Sequence, residues 1–181
     1  MEVLPILRSP IWDHPALGAF APLRAPLLAA AERLPALVEE YDALPRIAAH
    51  GDACPNNLLA DPGDPDGFVL VDSGLWAALP AGFDLGQLLV GDVSVGARPA
   101  GDLAVLDARL LASYGESLAA EGLDVDPEAL RRAHALELFV WRGLSALPFE
   151  LLDGPPEVLA AAVPERAAIT AWSLELLAAT D

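Results

Sequence analysis

A segment dense in turn-forming residues interrupts the helical pattern of the chain and limits what it can fold into. Residues 50–57 read His-Gly-Asp-Ala-Cys-Pro-Asn-Asn, a stretch too rich in Gly, Asp, Pro and Asn to continue a helix. Asn57–Ala60 and Phe68–Val71 are short apolar runs joined by a stretch of Asp, Pro and Gly, which is typical of two strands and a reversal. The sequence therefore predicts a loop followed by a β-hairpin.

Most of the remaining chain has helical periodicity. Prolines divide residues 9–40 into short apolar pieces, which predicts helices broken by Pro. After the hairpin, the period predicts four further helices, at about 84–94, 102–121, 127–147 and 156–178. Asp126 can cap the third of these by accepting hydrogen bonds from its free amides, and the following Pro127 suits its first turn. We expect an α+β chain that is mostly helical.

The length of 181 residues suits one domain with a single core. We expect a helical lead-in over 1–49, the loop, hairpin and next helix over 50–95, and a helical subdomain over 96–181. The apolar stretches are interrupted well before the roughly 18 residues that a membrane span needs. No signal peptide is recognisable at the N-terminus, so we expect a cytoplasmic protein without a membrane partner.

The charge of the chain bears on its partners. With 27 acids against 10 basic residues, the formal net charge is −17, and such a surface repels the phosphates of nucleic acid. We therefore expect no nucleic-acid partner. The same field would attract a cationic substrate, although acidity also serves solubility alone, and composition does not separate these two interpretations.

Three acids and an amide gather within 33 residues at places where the chain turns: Asp52, Asn57, Asp72 and Asp84. Phosphoryl transfer to a hydroxyl needs a group that accepts the hydroxyl proton and ligands that hold Mg²⁺ against the phosphates. Asp52 suits the first role, and Asn57 and Asp72 offer oxygen atoms to a hard cation from the two strands of the hairpin. The alternative is an ordinary turn built from Asp, Asn, Gly and Pro.

Residues 50–57 resemble the H-G-D-x-x-P-x-N loop of the aminoglycoside phosphotransferase and choline kinase family. Leu-Val-Asp ending at Asp72 and Phe-Asp-Leu around Asp84, twelve residues apart with Pro80 between them, resemble the metal-binding Asp and the downstream Asp-Leu of that family. The resemblance covers residues 44 to about 95. It implies the C-terminal lobe of a kinase-like fold that transfers a phosphoryl group from ATP to a hydroxyl of a small molecule.

The resemblance also implies roles for individual residues. Asp52 would be the catalytic base, and Asn57 and Asp72 would bind Mg²⁺ and, through it, the ATP cofactor. Asp84 would brace the loop through backbone amides, and His50 would orient it.

The chain departs from the family pattern within the motif and ahead of it. Ser73 follows the metal-binding Asp, where the family often has Trp, and Cys54 stands in the loop, where it often has His or Lys. The family's ATP-binding lobe would need on the order of 65 residues at usual element and loop lengths, but only 49 residues precede the loop. Those 49 hold one glycine, Gly18, and no lysine, so they contain neither a glycine-rich phosphate loop nor the lysine that pairs with the phosphates.

We therefore expect the nucleotide lobe to be missing and to be supplied by a longer chain or by a partner, with a homodimer as another arrangement. The alternative is an inactive, pseudokinase-like module that acts by docking to a partner.

His134, Glu137 and Trp141 fall on one stripe of the third predicted helix. A Trp face and a Glu charge can bind a cationic or sugar-like substrate, so these residues form a candidate substrate pocket. The alternative is the flank of a half-buried helix.

Overall fold

The structure, a computed structural model, describes residues 3–181. Its helices are α1 Val3–Leu7, α2 Arg24–Glu32, α3 Leu34–Asp42, α4 Phe83–Ser94, α5 Leu103–Ala120, α6 Pro127–Glu137 and α7 Pro156–Ala179. Its strands are β1 Arg46–Ala49, β2 Leu58–Ala60, β3 Phe68–Leu70 and β4 Ala77–Pro80. Because 66% of the residues are helical and 8% lie in strands, the chain belongs to the mostly helical α+β class that the sequence predicts.

Prolines set the breaks in the first quarter of the chain, as predicted. Two 3₁₀ segments, Pro10–Asp13 and Pro15–Leu23, each begin with Pro, and α3 has Pro35 in its first turn. Proline fits a first turn because the amide it lacks would have no intrahelical partner there. The result is a series of short helices that change direction often enough to wrap around a core.

The predicted hairpin is confirmed. Strands β2 and β3 pair antiparallel with Leu58 opposite Leu70, and Asp61–Gly67 forms the reversal. A second antiparallel pair was not predicted: β1 and β4 lie side by side with Arg46 opposite Pro80 and Ala49 opposite Ala77. The β1–β4 pair holds the segment from His50 to Trp76 by both of its ends, and the β2–β3 hairpin lies within that segment.

Three of the four later helices match their predicted bounds within about a residue, and Asp126 caps α6 by accepting a hydrogen bond from the Glu128 amide at 3.2 Å. The prediction of one continuous helix over 127–147 is wrong. The α-helix ends at Glu137, and Leu138–Gly143 is a π-helix. Such widened turns leave backbone groups to be satisfied from outside, and Thr170 of α7 donates its hydroxyl to the Gly143 carbonyl at 2.8 Å.

The core consists of two apolar clusters that meet around α7. One joins the N-terminal helices to the later ones and includes Phe20, Leu37, Phe139 and Val163. The other packs α4 against α5 and α7 and includes Val93 and Ile169 among others. Helix α4, which follows the predicted loop and hairpin, is therefore held in place by its packing against α5 and α7. No helix within residues 3–181 is long and apolar enough to cross a membrane.

Candidate functional site

Asp84 fixes the predicted catalytic loop to the helical body. It stands in the first turn of α4, and its two carboxylate oxygens accept hydrogen bonds from the His50 amide at 2.8 Å and the Gly51 amide at 2.9 Å. The residues just before α4 are also held in place, because the Gly82 amide donates to the Tyr114 hydroxyl oxygen at 3.2 Å. The contacts of Asp84 are those that the resemblance implies for a brace on the loop.

Gly51 lets the loop lie directly on the segment that follows Asp72. Its φ is +84°, and a Cβ at this position would stand 2.3 Å from the Leu75 carbonyl oxygen. A side chain is excluded twice over, by the left-handed backbone and by the close approach. The glycine of the H-G-D triplet therefore has a packing role that the sequence pattern alone does not reveal.

His50 joins the loop to the end of the hairpin. Its ring is buried, and Nε2 lies 2.8 Å from the Val71 carbonyl oxygen, so Nε2 carries the proton and donates it. Its ring also meets the Trp76 ring edge to face, with centroids 6.4 Å apart. His50 is thus a structural link between Asp52 and Asp72, in agreement with the orienting role that the resemblance implies.

Asp52 and Asn57 are in direct contact. The Asn57 side-chain amide donates to the Asp52 backbone carbonyl at 2.8 Å and to the Asp52 carboxylate at 3.2 Å. These bonds use the nitrogen of the Asn57 amide and leave its oxygen available to a cation. Both side chains are partly exposed, so a ligand can approach them from solvent.

Asp72 lies beside Asn57 and has an unusual backbone. The Val71 amide donates to the Asn57 carbonyl at 3.0 Å, which sets Asp72 one residue beyond the partner of Asn57 across the hairpin. Asp72 is exposed and has φ +59° and ψ +55°, and within residues 3–181 no other non-glycine residue has positive φ. Left-handed backbone at a non-glycine residue costs of order 1 kcal/mol and is found disproportionately at functional sites.

The site therefore has two carboxylates and one amide oxygen on the rim formed by the loop and the hairpin. Mg²⁺ in phosphate-binding sites is usually held by one or two carboxylates, with water and phosphate oxygens completing its coordination. Within residues 3–181, no group of three or more His, Cys, Asp or Glu side chains could hold a metal ion by itself. The arrangement fits a cation shared with a phosphate ligand better than one held by protein groups alone.

The candidate substrate pocket of His134, Glu137 and Trp141 is not supported by the structure. The side chains of His134 and Glu137 lie in the core with 0% of their surface exposed, while Trp141 is on the surface and 48% exposed. His134 is instead paired with the buried Asp107, with 2.5 Å between Nε2 and Oδ1. The interpretation as a half-buried helix flank is also incorrect for the first two residues, because both are fully buried.

Glu137 belongs to a buried polar cluster that the sequence did not reveal. Its carboxylate lies against Gly86 of α4, where a Cβ would stand 1.7 Å from Oε2, and Arg142 donates from Nε to Oε1 at 2.8 Å. Burial raises the pKa of the Glu137 carboxyl to about 7, against the opposing effect of the Arg142 guanidinium. Oε2 has no hydrogen-bond partner. The glycine at position 86, two residues after Asp84 and inside a helix, is the one signal in the sequence that could have indicated this approach.

Comparison of the chain with protein-family models, with curated proteins and with solved structures gives no match in any of the three. What can be inferred about function therefore depends on the residues and on their geometry.

Proposed function

We propose that this chain is the helical lobe of a phosphotransferase, which transfers the γ-phosphoryl group of ATP to a hydroxyl of a small molecule when a nucleotide-binding lobe is supplied. The observation that carries the proposal is a set of hydrogen bonds around the loop. Asp84 accepts from the His50 and Gly51 amides and fixes the loop to α4, and His50 donates to the Val71 carbonyl and joins the loop to the hairpin. The candidate base, Asp52, contacts one candidate cation ligand, Asn57, and the other, Asp72, directly follows the residue whose carbonyl His50 contacts. An unconnected turn would not need this bracing.

In the proposed roles, Asp52 accepts the proton of the attacking hydroxyl, and Asn57 holds the Asp52 carboxylate in place through its amide nitrogen. Asn57 and Asp72 would hold Mg²⁺ by their side-chain oxygens. When bound, Mg²⁺ neutralises the charge that develops on the transferred phosphoryl group. The net charge of −17 is compatible with a cationic acceptor molecule, although the same acidity also serves solubility alone.

The nucleotide lobe is proposed to come from another part of a longer chain or from a partner. The described residues ahead of β1 form helices and 3₁₀ turns, and no strand precedes Arg46 within residues 3–45. The single glycine and the absence of lysine in the first 49 residues also support this view.

The role of Asp52 is tested by Asp52→Ala in the enzyme completed by a nucleotide lobe. Loss of a general base typically lowers turnover by about 10²- to 10⁴-fold, so we expect a decrease in that range. Turnover within a few-fold of the wild type would remove Asp52 from this role.

The role of Asp72 is tested by calorimetric titration of Mg·ATP into Asp72→Ala. We expect the Mg²⁺-dependent part of nucleotide binding to disappear. Asp66→Ala is the matched control, because Asp66 is an exposed acid in the same hairpin whose carboxylate makes no hydrogen bond within residues 3–181. Unchanged affinity in Asp72→Ala, or an equal loss in both variants, would contradict the assignment.

A second candidate function, a docking module without catalysis, is favoured by an exposed apolar surface on the same rim. Phe68 is 68% exposed, and Leu59, Leu70, Leu75 and Trp76 are also exposed. A two-stranded sheet with an open apolar face is marginal by itself and gains stability when it is covered. This surface also suits contact with the missing lobe, so it supports both candidates.

Nucleotide binding separates the two candidates. A docking module is expected to show no Mg²⁺-dependent nucleotide binding, with or without a partner, and to lose partner binding in Phe68→Ser. A phosphotransferase lobe is expected to show Mg²⁺-dependent nucleotide binding, which strengthens when the partner lobe is present, and to lose it in Asp72→Ala.

A further inference from the structure

Two of the ten arginines of this acidic chain converge on one small polar pocket. The pocket lies between α4, the π-helix and α7, has a volume of about 220 Å³, and is lined by Arg142 and Arg166 together with Ser94, Ser145 and Glu150. Both arginine side chains are largely buried, with 18% and 16% of their surface exposed. Guanidinium groups withdrawn from water in this way are suited to recognise oxyanions.

The known contacts of the two arginines leave donors unused. Arg142 donates from Nε to Glu137 and from Nη1 to Gln87 at 2.6 Å, while Arg166 donates from Nε to the Ser94 carbonyl at 3.3 Å and from Nη1 to Glu150. A guanidinium has five N–H donors in a fork that matches an oxyanion. Within residues 3–181, neither Nη2 donates to any protein group.

We propose that the pocket between Arg142 and Arg166 binds a small, doubly charged oxyanion, either free phosphate or the phosphate group of a small organic ester. The volume is below the roughly 300 Å³ at which pockets for larger organic ligands begin, which suits a small anion. Double charge is favoured because the exposed Glu150 carboxylate already neutralises Arg166 in part. A single negative charge would only take the place of Glu150, whereas a dianion gains attraction to both arginines.

The proposal is independent of the phosphotransferase function, and its test avoids the magnesium site. Inorganic phosphate is titrated into the 181-residue protein by calorimetry at neutral pH, with a chelator present and about 0.15 M salt to screen distant carboxylates. We expect saturable binding with Kd of about 1 mM, corresponding to a few charge-assisted hydrogen bonds.

Two pairs of variants assign the binding to the pocket. Arg166→Gln is expected to weaken phosphate binding about tenfold, whereas Arg109→Gln, on an exposed arginine of α5, is expected to leave it unchanged. Glu150→Gln is expected to tighten binding several-fold, since it frees Arg166 and removes a competing charge, while Glu157→Gln, an exposed acid in the first turn of α7, has no effect. Because Glu150 is exposed, its substitution tests the site even if Arg166→Gln does not fold.

A comparison of ligands identifies the source of the anion. Tighter binding of glycerol phosphate assigns the site to the phosphate group of an organic molecule, and tighter binding of inorganic phosphate assigns it to the free ion. The proposal is overturned if acetate binds as tightly as phosphate, if no saturable binding occurs, or if Glu150→Gln and Arg166→Gln both bind like the wild type.

Discussion

Asp84→Ala removes the brace between the catalytic loop and α4. The substitution leaves the amides of His50 and Gly51 without their acceptor, in a region where the His50 side chain is buried. A buried donor without a partner costs about 1–3 kcal/mol, and since Asp84 is partly exposed, water can replace part of the loss. We expect the free energy of unfolding to fall by about 3 kcal/mol in total.

Urea unfolding followed by circular dichroism measures this loss, and hydrogen exchange locates it. Some amides exchange when the loop opens. A fall of about 3 kcal/mol lowers the hydrogen-exchange protection of these amides by about 10²-fold. Glu116→Ala is the control, because Glu116 is an exposed acid of α5 that makes no side-chain hydrogen bond within residues 3–181. If Asp84→Ala were no more destabilising than Glu116→Ala, and the His50 and Gly51 amides kept their protection, Asp84 would not be the brace described above.

Three further predictions concern close approaches and the buried carboxyl. Gly51→Ala places a methyl group 2.3 Å from the Leu75 carbonyl at a left-handed position, so we expect a loss of about 2–4 kcal/mol in unfolding free energy, measured by urea denaturation. Gly86→Ala drives a Cβ to 1.7 Å from Glu137 Oε2, and we expect thermal unfolding to show a loss of about 1–3 kcal/mol. Because the pKa of Glu137 is raised from 4.5 to about 7, folding favours its protonated form, and its contribution to stability should decrease by about 3 kcal/mol as pH rises from 4.5 to 7.

Each of these predictions has a matched control in the chain. Gly122 also has positive φ but open space around it, so Gly122→Ala should cost only the backbone strain, about 1–2 kcal/mol. Gly115 lies in α5 with ordinary contacts, and Gly115→Ala should stabilise the helix by about 0.5–1 kcal/mol. Glu137→Gln should flatten the pH dependence between 4.5 and 7 relative to the wild type. A glycine variant that loses no more stability than its control would contradict the proposed close approach. Glu137→Gln with the same pH dependence as the wild type would contradict the titration of Glu137.

The sequence predicts the elements whose signals are local. The helices α4, α5 and α7 follow from apolar periodicity, and the hairpin follows from two apolar runs around a proline- and glycine-rich reversal. The bracing of the loop by Asp84 was inferred from the family resemblance. No local sequence pattern indicates that a carboxylate accepts hydrogen bonds from amides 33 and 34 residues away. The helix and hairpin predictions succeeded because local pattern and spacing carry that information.

The sequence does not reveal features that depend on distant packing. Strands β1 and β4 are short and rich in alanine, and Ile47 is their only β-branched residue, so their composition does not indicate strands. Glu137 was expected to line a substrate pocket or to lie on the flank of a half-buried helix, but it is fully buried. Its actual environment comes from a glycine 51 residues earlier, an arginine five residues later and a widened helical turn, and no local pattern connects these three.

Thermal unfolding with Mg²⁺ alone, ATP alone and both together tests the central claim most directly. A ligand that binds only the folded state stabilises it by about 2.7 kcal/mol at 100 times its Kd, so a joint site is detectable as a rise in Tm. We expect the rise with both ligands to exceed the sum of the two separate rises, and Asp72→Ala to lose that excess. Separate rises that simply add, or an excess that persists in Asp72→Ala, would contradict a metal–nucleotide site formed by Asn57 and Asp72.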